Sequence, residues 1–301
     1  MSRLSLLFSV LLFAACASNT ATEDPAVVPG VSGTETVASE PDTPETSTPQ
    51  DALDLPPLDE EAVASLFPVE AVRAVVAYDR AFRAVASSDE LKAVYDQARA
   101  LEQTLLGPMG DTEWDNLMAF MEADLGMPGL SPSCVAECTM PSLAIAIDDW
   151  KLAAEHVGDE GSMEFFDLLA SVYPSAYIAE GQLGGWPSYV EQTWDYGGYS
   201  VLGSGAHADL LRQFASADGG VFAVELQALR EGLARDVLET TCVGPSAEDA
   251  QAELVRIADA LTLPDAGPSL EVRIDAFEEP NAAGIQTGCA VPDATCACIG
   301  G

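Results

Sequence analysis

Three carboxylates sit among aromatic rings in one stretch of this chain. Glu180, Glu191 and Asp195 lie between Tyr173 and His207, with Trp186, Tyr189, Trp194, Tyr196 and Tyr199 around them. Gln182, Gln192 and Thr193 add short polar groups. This mixture suits a sugar: aromatic faces stack on the apolar face of a pyranose, and the polar groups take its hydroxyls. Glycoside cleavage needs more. It requires two carboxyl groups, about 5–5.5 Å apart for retention of configuration or about 6.5–9.5 Å for inversion. Glu180 with Glu191 or Asp195 supplies candidates for the acid and the base. The same residues suit a surface that binds without reacting, and such rings often form the small core of a long irregular segment.

Other chemistries find less support. The chain has two histidines, His156 and His207, which is too few for a histidine-based metal site, and no H-E-x-x-H pattern. No metal and no cofactor are expected. The nucleophile elbow G-x-S-x-G is absent, because Gly203-Ser204-Gly205 has the wrong spacing. That triplet precedes a helical stretch, so its backbone amides are placed to meet an anion; a simple connecting loop is the commoner use. Walker, dinucleotide-binding and calcium-loop patterns are missing.

The elements around the aromatic segment read as helices. Val69, Val72, Val75, Val76, Phe82 and Val85 recur at helical steps behind Pro68. Ser87 and Glu90 form a capping box for the next helix, which reaches about Leu106. Another carries Trp114, Leu117, Met118 and Met121. After a Pro/Gly-rich loop, a helix is expected from about Ser142 to Gly158 and one from Glu160 to Val172. His156 closes the first of these, where the backbone dipole favours partial positive charge. Helices follow over His207–Ala217, Val221–Thr240 (with Val224, Leu226, Leu229, Leu233 and Val237 inward) and beyond Ser246, capped with Asp249. Leu270, Val272 and Ile274 alternate with polar residues and predict a strand.

The first residues carry a different signal. Arg3 precedes an apolar run, Leu4 to Phe13, of signal-peptide length and too short to span a membrane. Ala14-Ala15-Cys16 follows. This segment resembles the lipobox of bacterial lipoproteins. The resemblance implies removal of residues 1–15, lipid on Cys16 and a membrane anchor; Ala17, rather than Asp, is similar to the pattern that sorts to the outer membrane. Residues 16–58 read as a tether: eight acids, seven prolines and no Lys or Arg between Ala17 and Leu58. The whole chain has 49 acids against 12 Lys+Arg, a formal net charge of -37. Nucleic acid and anionic lipid are therefore poor direct partners. The charge suits either a soluble acidic protein or one from a salty habitat.

Beyond Cys16, the cysteines are Cys134, Cys138, Cys242, Cys289, Cys296 and Cys298. An even number in an exported chain predicts three disulfides, with the tail bonded back to the body. The sequence thus predicts a mainly α, bundle-like domain over 59–262 and a small disulfide-braced β element in 263–301. The expected role is an envelope lipoprotein that binds a protein or glycan partner through Trp186, Tyr189, Trp194, Tyr196 and Tyr199. The alternative is a glycoside hydrolase acting on peptidoglycan or another polysaccharide through Glu180, Glu191 and Asp195.

Overall fold

The computed structural model describes residues 53–106, 114–135, 140–179, 181–192, 198–244, 246–260 and 267–287. All of them belong to one compact unit that begins at Pro49. The lipobox, Cys16 and most of the expected tether lie outside the described residues. The tether's last residues do not hang free. Leu53 is buried, and the carbonyls of Leu55 and Pro56 accept hydrogen bonds from the Arg83 guanidinium at 3.1 and 2.5 Å.

The first helices follow the sequence closely. α1 (Glu60–Leu66) is capped by Asp59, whose carboxylate accepts the Ala62 amide at 2.9 Å. α2 (Val69–Arg83) starts after Pro68, where a missing N–H costs nothing. α3 (Ser88–Leu106) has its capping box: the Glu90 amide donates to Ser87 Oγ at 3.4 Å, and Glu90 Oε2 accepts the Ala86 amide at 2.9 Å. α4 (Trp114–Glu122) buries Phe120.

Two sheets then enter, and they overturn the expected fold class. The described fold mixes ten helices with two four-stranded sheets, and is not a helical bundle with one β element at its C-terminus. β1 (Leu130–Val135) and β2 (Met140–Ile145) form an antiparallel hairpin. Leu143 and Ile145 therefore lie on a strand, not on the expected helix. Their two-residue spacing puts both on the buried face. β3 (Tyr177–Ala179) and β4 (Gln182–Gly184) complete this sheet in the order β1-β2-β3-β4. Between β2 and β3 run α5 (Ile147–Val157) and α6 (Glu160–Val172).

The second sheet has the order β5-β6-β7-β8. β5 (Val190–Gln192) and β6 (Gly198–Ser200) are antiparallel. β7 (Cys242–Val243) joins β6 in parallel after α7 (Ala206–Ser216) and α8 (Ala223–Glu239). β8 (Gln286–Thr287) joins β7 in parallel after α9 (Ala247–Ala260) and α10 (Gly267–Ala276). Parallel neighbours require long crossovers, and these helix pairs supply them. Val224 opens α8 on the solvent side, 78% exposed, and not inward as its spacing suggested.

α10 replaces the strand expected at Leu270–Ile274. Leu270, Arg273 and Ile274 share the inner side of the helix and Phe277 is buried just past its end, while Val272 is 69% exposed. The alternation was a helical pattern with an arginine in one of its inner places. Arg273 donates to the carbonyls of Val237 and Thr240 at the end of α8, and its guanidinium lies 4.8 Å from the Phe277 ring centre. Burial lowers its pKa, partly offset by the Asp236 charge. Cys134 and Cys242 are disulfide-bonded; Cys138, Cys289, Cys296 and Cys298 lie outside the described residues, and with them the expected bracing of the C-terminal tail.

The core centres on Trp150. Its ring lies 4.8 Å from Phe82, 5.2 Å from Tyr95 and 5.6 Å from Phe166, measured between ring centres. Phe222 stacks on Phe165 at 4.6 Å and meets Tyr95 edge-on. Trp150 Nε1 donates to the Gly129 carbonyl at 2.9 Å, and the Tyr78 hydroxyl to Pro128 at 2.6 Å. The polar ends of two core rings thus hold the loop before β1.

Asp159 caps α6 and ties it to α3. Burial pushes its carboxyl up, but bonds from the Ser162 hydroxyl, the Ser162 amide at 2.9 Å and the Ser88 hydroxyl outweigh that and hold it below its usual range. Asp159→Ala is expected to cost about 1 kcal/mol at neutral pH. A depressed carboxyl stabilises the fold above its unfolded pKa, about 3.9, and loses that contribution as pH falls through the folded value. Chemical denaturation should therefore find the gap between wild type and variant unchanged from pH 7 to 5 and closing below about pH 4.

Candidate functional site

The aromatic segment is built as short strands and turns, and these divide its rings. Tyr189 is buried. Its ring lies 5.5 Å from His207, and burial, with a hydrogen bond to Tyr173, drives its phenol pKa well up. It belongs to the core. Trp186, half-buried between β4 and β5, packs over Gly198: a Cβ there would come within 3.0 Å of the indole and 2.8 Å of Val190. Only glycine lets β6 pass beneath that ring.

Glu191 and Tyr199 are directly opposed on β5 and β6. By alternation they share the face opposite Val190, Ser200 and Gly198. Glu191 is exposed, and its carboxylate accepts a hydrogen bond from the Tyr199 hydroxyl, which raises the Tyr199 pKa. A phenol held this way is a donor, not an activated nucleophile. Glu180, Trp194, Asp195 and Tyr196 lie outside the described residues. The structure thus brings Glu191 and Tyr199 together, places Trp186 by Gly198 and sends Tyr189 inward.

Beneath this sheet lies a grouping that the sequence did not reveal. Ser200 at the end of β6, His207 in the first turn of α7 and Asp236 near the end of α8 meet around one oxygen. Ser200 Oγ donates to Asp236 Oδ2 at 2.5 Å, and His207 Nε2 lies 2.7 Å from the same oxygen and 3.3 Å from Ser200 Oγ. These are the residue types of a hydrolytic triad, but not its geometry. A triad needs the hydroxyl on one imidazole nitrogen and the carboxylate on the other. Here both address Nε2, Nδ1 is buried without a hydrogen-bond partner, and the serine proton points to the carboxylate. Ser200 is 2% exposed and His207 0%. The grouping is a buried lock between β6, α7 and α8.

A second such device holds the Gly203-Ser204-Gly205 loop. Its amides do meet an anion, and the anion is the chain's own. The Glu253 carboxylate, fully buried in α9, accepts the amides of Gly203 at 2.5 Å, Gly205 at 3.0 Å and Ala208 at 3.1 Å. Gly203 has φ +108°, and a Cβ there would come within 2.8 Å of the Ala250 nitrogen. A sequence signal for both devices existed: Asp236 adjoins inward Leu233 and Val237, and Glu253 sits in the apolar series Ala250, Leu254, Ile257. An acid inside an apolar stripe marks a buried partner.

Among the described residues no three of His, Cys, Asp or Glu come together as a metal site. No protein-family model matches this chain, and no curated protein or solved structure shows significant similarity to it.

Glu253→Ala would leave three amides without their acceptor and is expected to cost about 1–3 kcal/mol, read by urea denaturation. Glu253→Gln keeps an acceptor oxygen and should recover part of that loss.

Proposed function

We propose that this chain is a lipid-anchored bacterial envelope protein whose folded part binds a partner surface without chemistry of its own. The anchor reading rests on Ala14-Ala15-Cys16 and the apolar run before it; no helix among the described residues is long and apolar enough to cross a membrane. The observation that carries the binding reading is the Glu191–Tyr199 pair. It is an acceptor and a ring on one face of a sheet, with the carboxylate exposed to solvent and engaged by a phenol. A general acid in glycoside hydrolysis needs a carboxyl kept protonated by a buried, apolar setting. Glu191 lacks that setting, and the only Ser–His–Asp grouping among the described residues is turned on itself. A binding face has no such requirement.

The test is retention against release. The full chain would be incubated with peptidoglycan and a panel of polysaccharides, and both bound protein and soluble fragments measured. Retention without fragments, weakened by Tyr199→Ala or Trp186→Ala, is the expected outcome. Fragment release abolished by Glu191→Gln would instead make the protein a hydrolase. Cys16→Ser should abolish incorporation of labelled fatty acid in cells.

A further inference from the structure

Positive charge is scarce in this chain, yet α2 carries three of the 12 Lys+Arg: Arg73, Arg80 and Arg83. Arg83 is engaged, with Asp79 at 2.7 Å and the carbonyls of Leu55 and Pro56. Arg73 and Arg80 are exposed and make no ion pair among the described residues. The inner side of α2 is Ala71, Val75, Tyr78 and Phe82. The outer side runs Val69, Arg73, Val76, Ala77, Arg80, with Val69 60% exposed, Val76 half-buried, and one exposed acid, Glu70, at its edge a turn before Arg73. The helix dipole accounts for Arg80 and Arg83 in the last turn. It does not account for Arg73, which stands in the helix's first half.

We infer that this outer stripe of α2 is a docking surface for an amphipathic helix of a partner protein that carries two carboxylates seven residues apart. Arg73 and Arg80 are two turns apart, about 10 Å along the axis. A helix laid along α2 repeats its side chains at the same interval, so carboxylates at i and i+7 meet both guanidinium groups. Small apolar residues between them would cover Val69, Val76 and Ala77. Two other occupants fit less well. A second α2 crossing antiparallel about Val76–Ala77 would set Arg73 against Arg80 of the copy, like charge on like. An anionic membrane would meet the field of a chain with net charge -37, which two arginines do not reverse. Screening at physiological salt, about 8 Å, limits either occupant to nearby charges, but a flat membrane lies against far more of the acidic surface than one helix does.

The test uses the full chain, kept unlipidated by Cys16→Ala, and three probes. One is a synthetic amphipathic helix with Glu at two positions seven apart. The second is the same composition with the two Glu on opposite faces. The third is vesicles of mixed neutral and anionic phospholipid. The first peptide is expected to bind about ten-fold more tightly than the second, more weakly as salt rises. Arg73→Glu with Arg80→Glu should abolish that preference while the chain still unfolds cooperatively, a few degrees lower because a glutamate in place of Arg80 opposes the helix dipole, and a peptide with Lys at the two positions should restore it. Arg73→Gln with Arg80→Gln should weaken it without reversal. Equal binding of the two peptides, binding that ignores both double variants, or no peptide binding would overturn the inference. Vesicle binding lost in the same variants would do so too, by giving the stripe to a membrane.

Discussion

The second half of this fold depends on where one carboxylate is placed. Asp236 sits on α8 between the inward residues Leu233 and Val237, at the edge of the buried side with its side chain 15% exposed. A charge drawn partly out of water needs donors to meet it, and here they converge on one oxygen, Oδ2. Ser200 and His207 supply them, and in doing so fix β6 and the first turn of α7 against α8. Arg273 then closes the end of the same helix from α10 and sets a positive charge near the same aspartate. Four elements are thus held by polar contacts that work only in one register. The apolar contacts around them tolerate small shifts; these bonds do not.

That constraint decides what the aromatic segment can be. Ser200 is the last residue of β6, and Tyr199 is its neighbour on the opposite face. Locking Ser200 inward turns Tyr199 outward, and the antiparallel register then puts Glu191 beside it. The same inward pull takes Tyr189 to His207 and removes it from the surface. The position of the exposed pair is therefore a consequence of the buried lock, although the two share no atoms.

The sequence made some of this legible and hid the rest for physical reasons. Helices that bury one continuous stripe, such as α2, α3 and α6, announced themselves, and Ser87 with Glu90 marked a boundary by local bonding alone. The strands of the aromatic segment are three residues each, too short for a period to emerge. The hairpin at Leu130–Ile145 was obscured because Leu143, Ile145 and Ile147 run straight into a helix that carries Trp150. α10 was misread because an alternation counts arginine as an outward residue. Arg273 is inward only because the end of α8 offers carbonyls with no amide left to answer them. Such demands come from another part of the chain, so local pattern cannot express them. For the lock and the Glu253 cradle the sequence marks the acid, by its place beside an apolar stripe, but not the donors that answer it from 29 to 50 positions away.

A chain this poor in lysine and arginine also has to settle many of its inner carboxylates by other means. Glu253 is held by three amides. Gly181 donates to Glu102 at 2.9 Å, and Gly129 to Asp149 at 2.8 Å. Asp159 is met by Ser162 and Ser88, and Asp236 by a serine and a histidine. Most of these donors are backbone groups at glycine turns or helix starts, where amides are left over by the geometry of the chain. Some cations go to carbonyls at helix ends, as with Arg230 on Phe214 and Ala217 and Arg273 on Val237 and Thr240, while Lys92 pairs with Glu225 at 3.1 Å and Arg83 with Asp79 at 2.7 Å. Added salt screens exposed ion pairs far more than buried amide–carboxylate bonds. The Gly203-Ser204-Gly205 loop, whose amides the sequence placed to meet an anion, is one of those other means: the anion is Glu253.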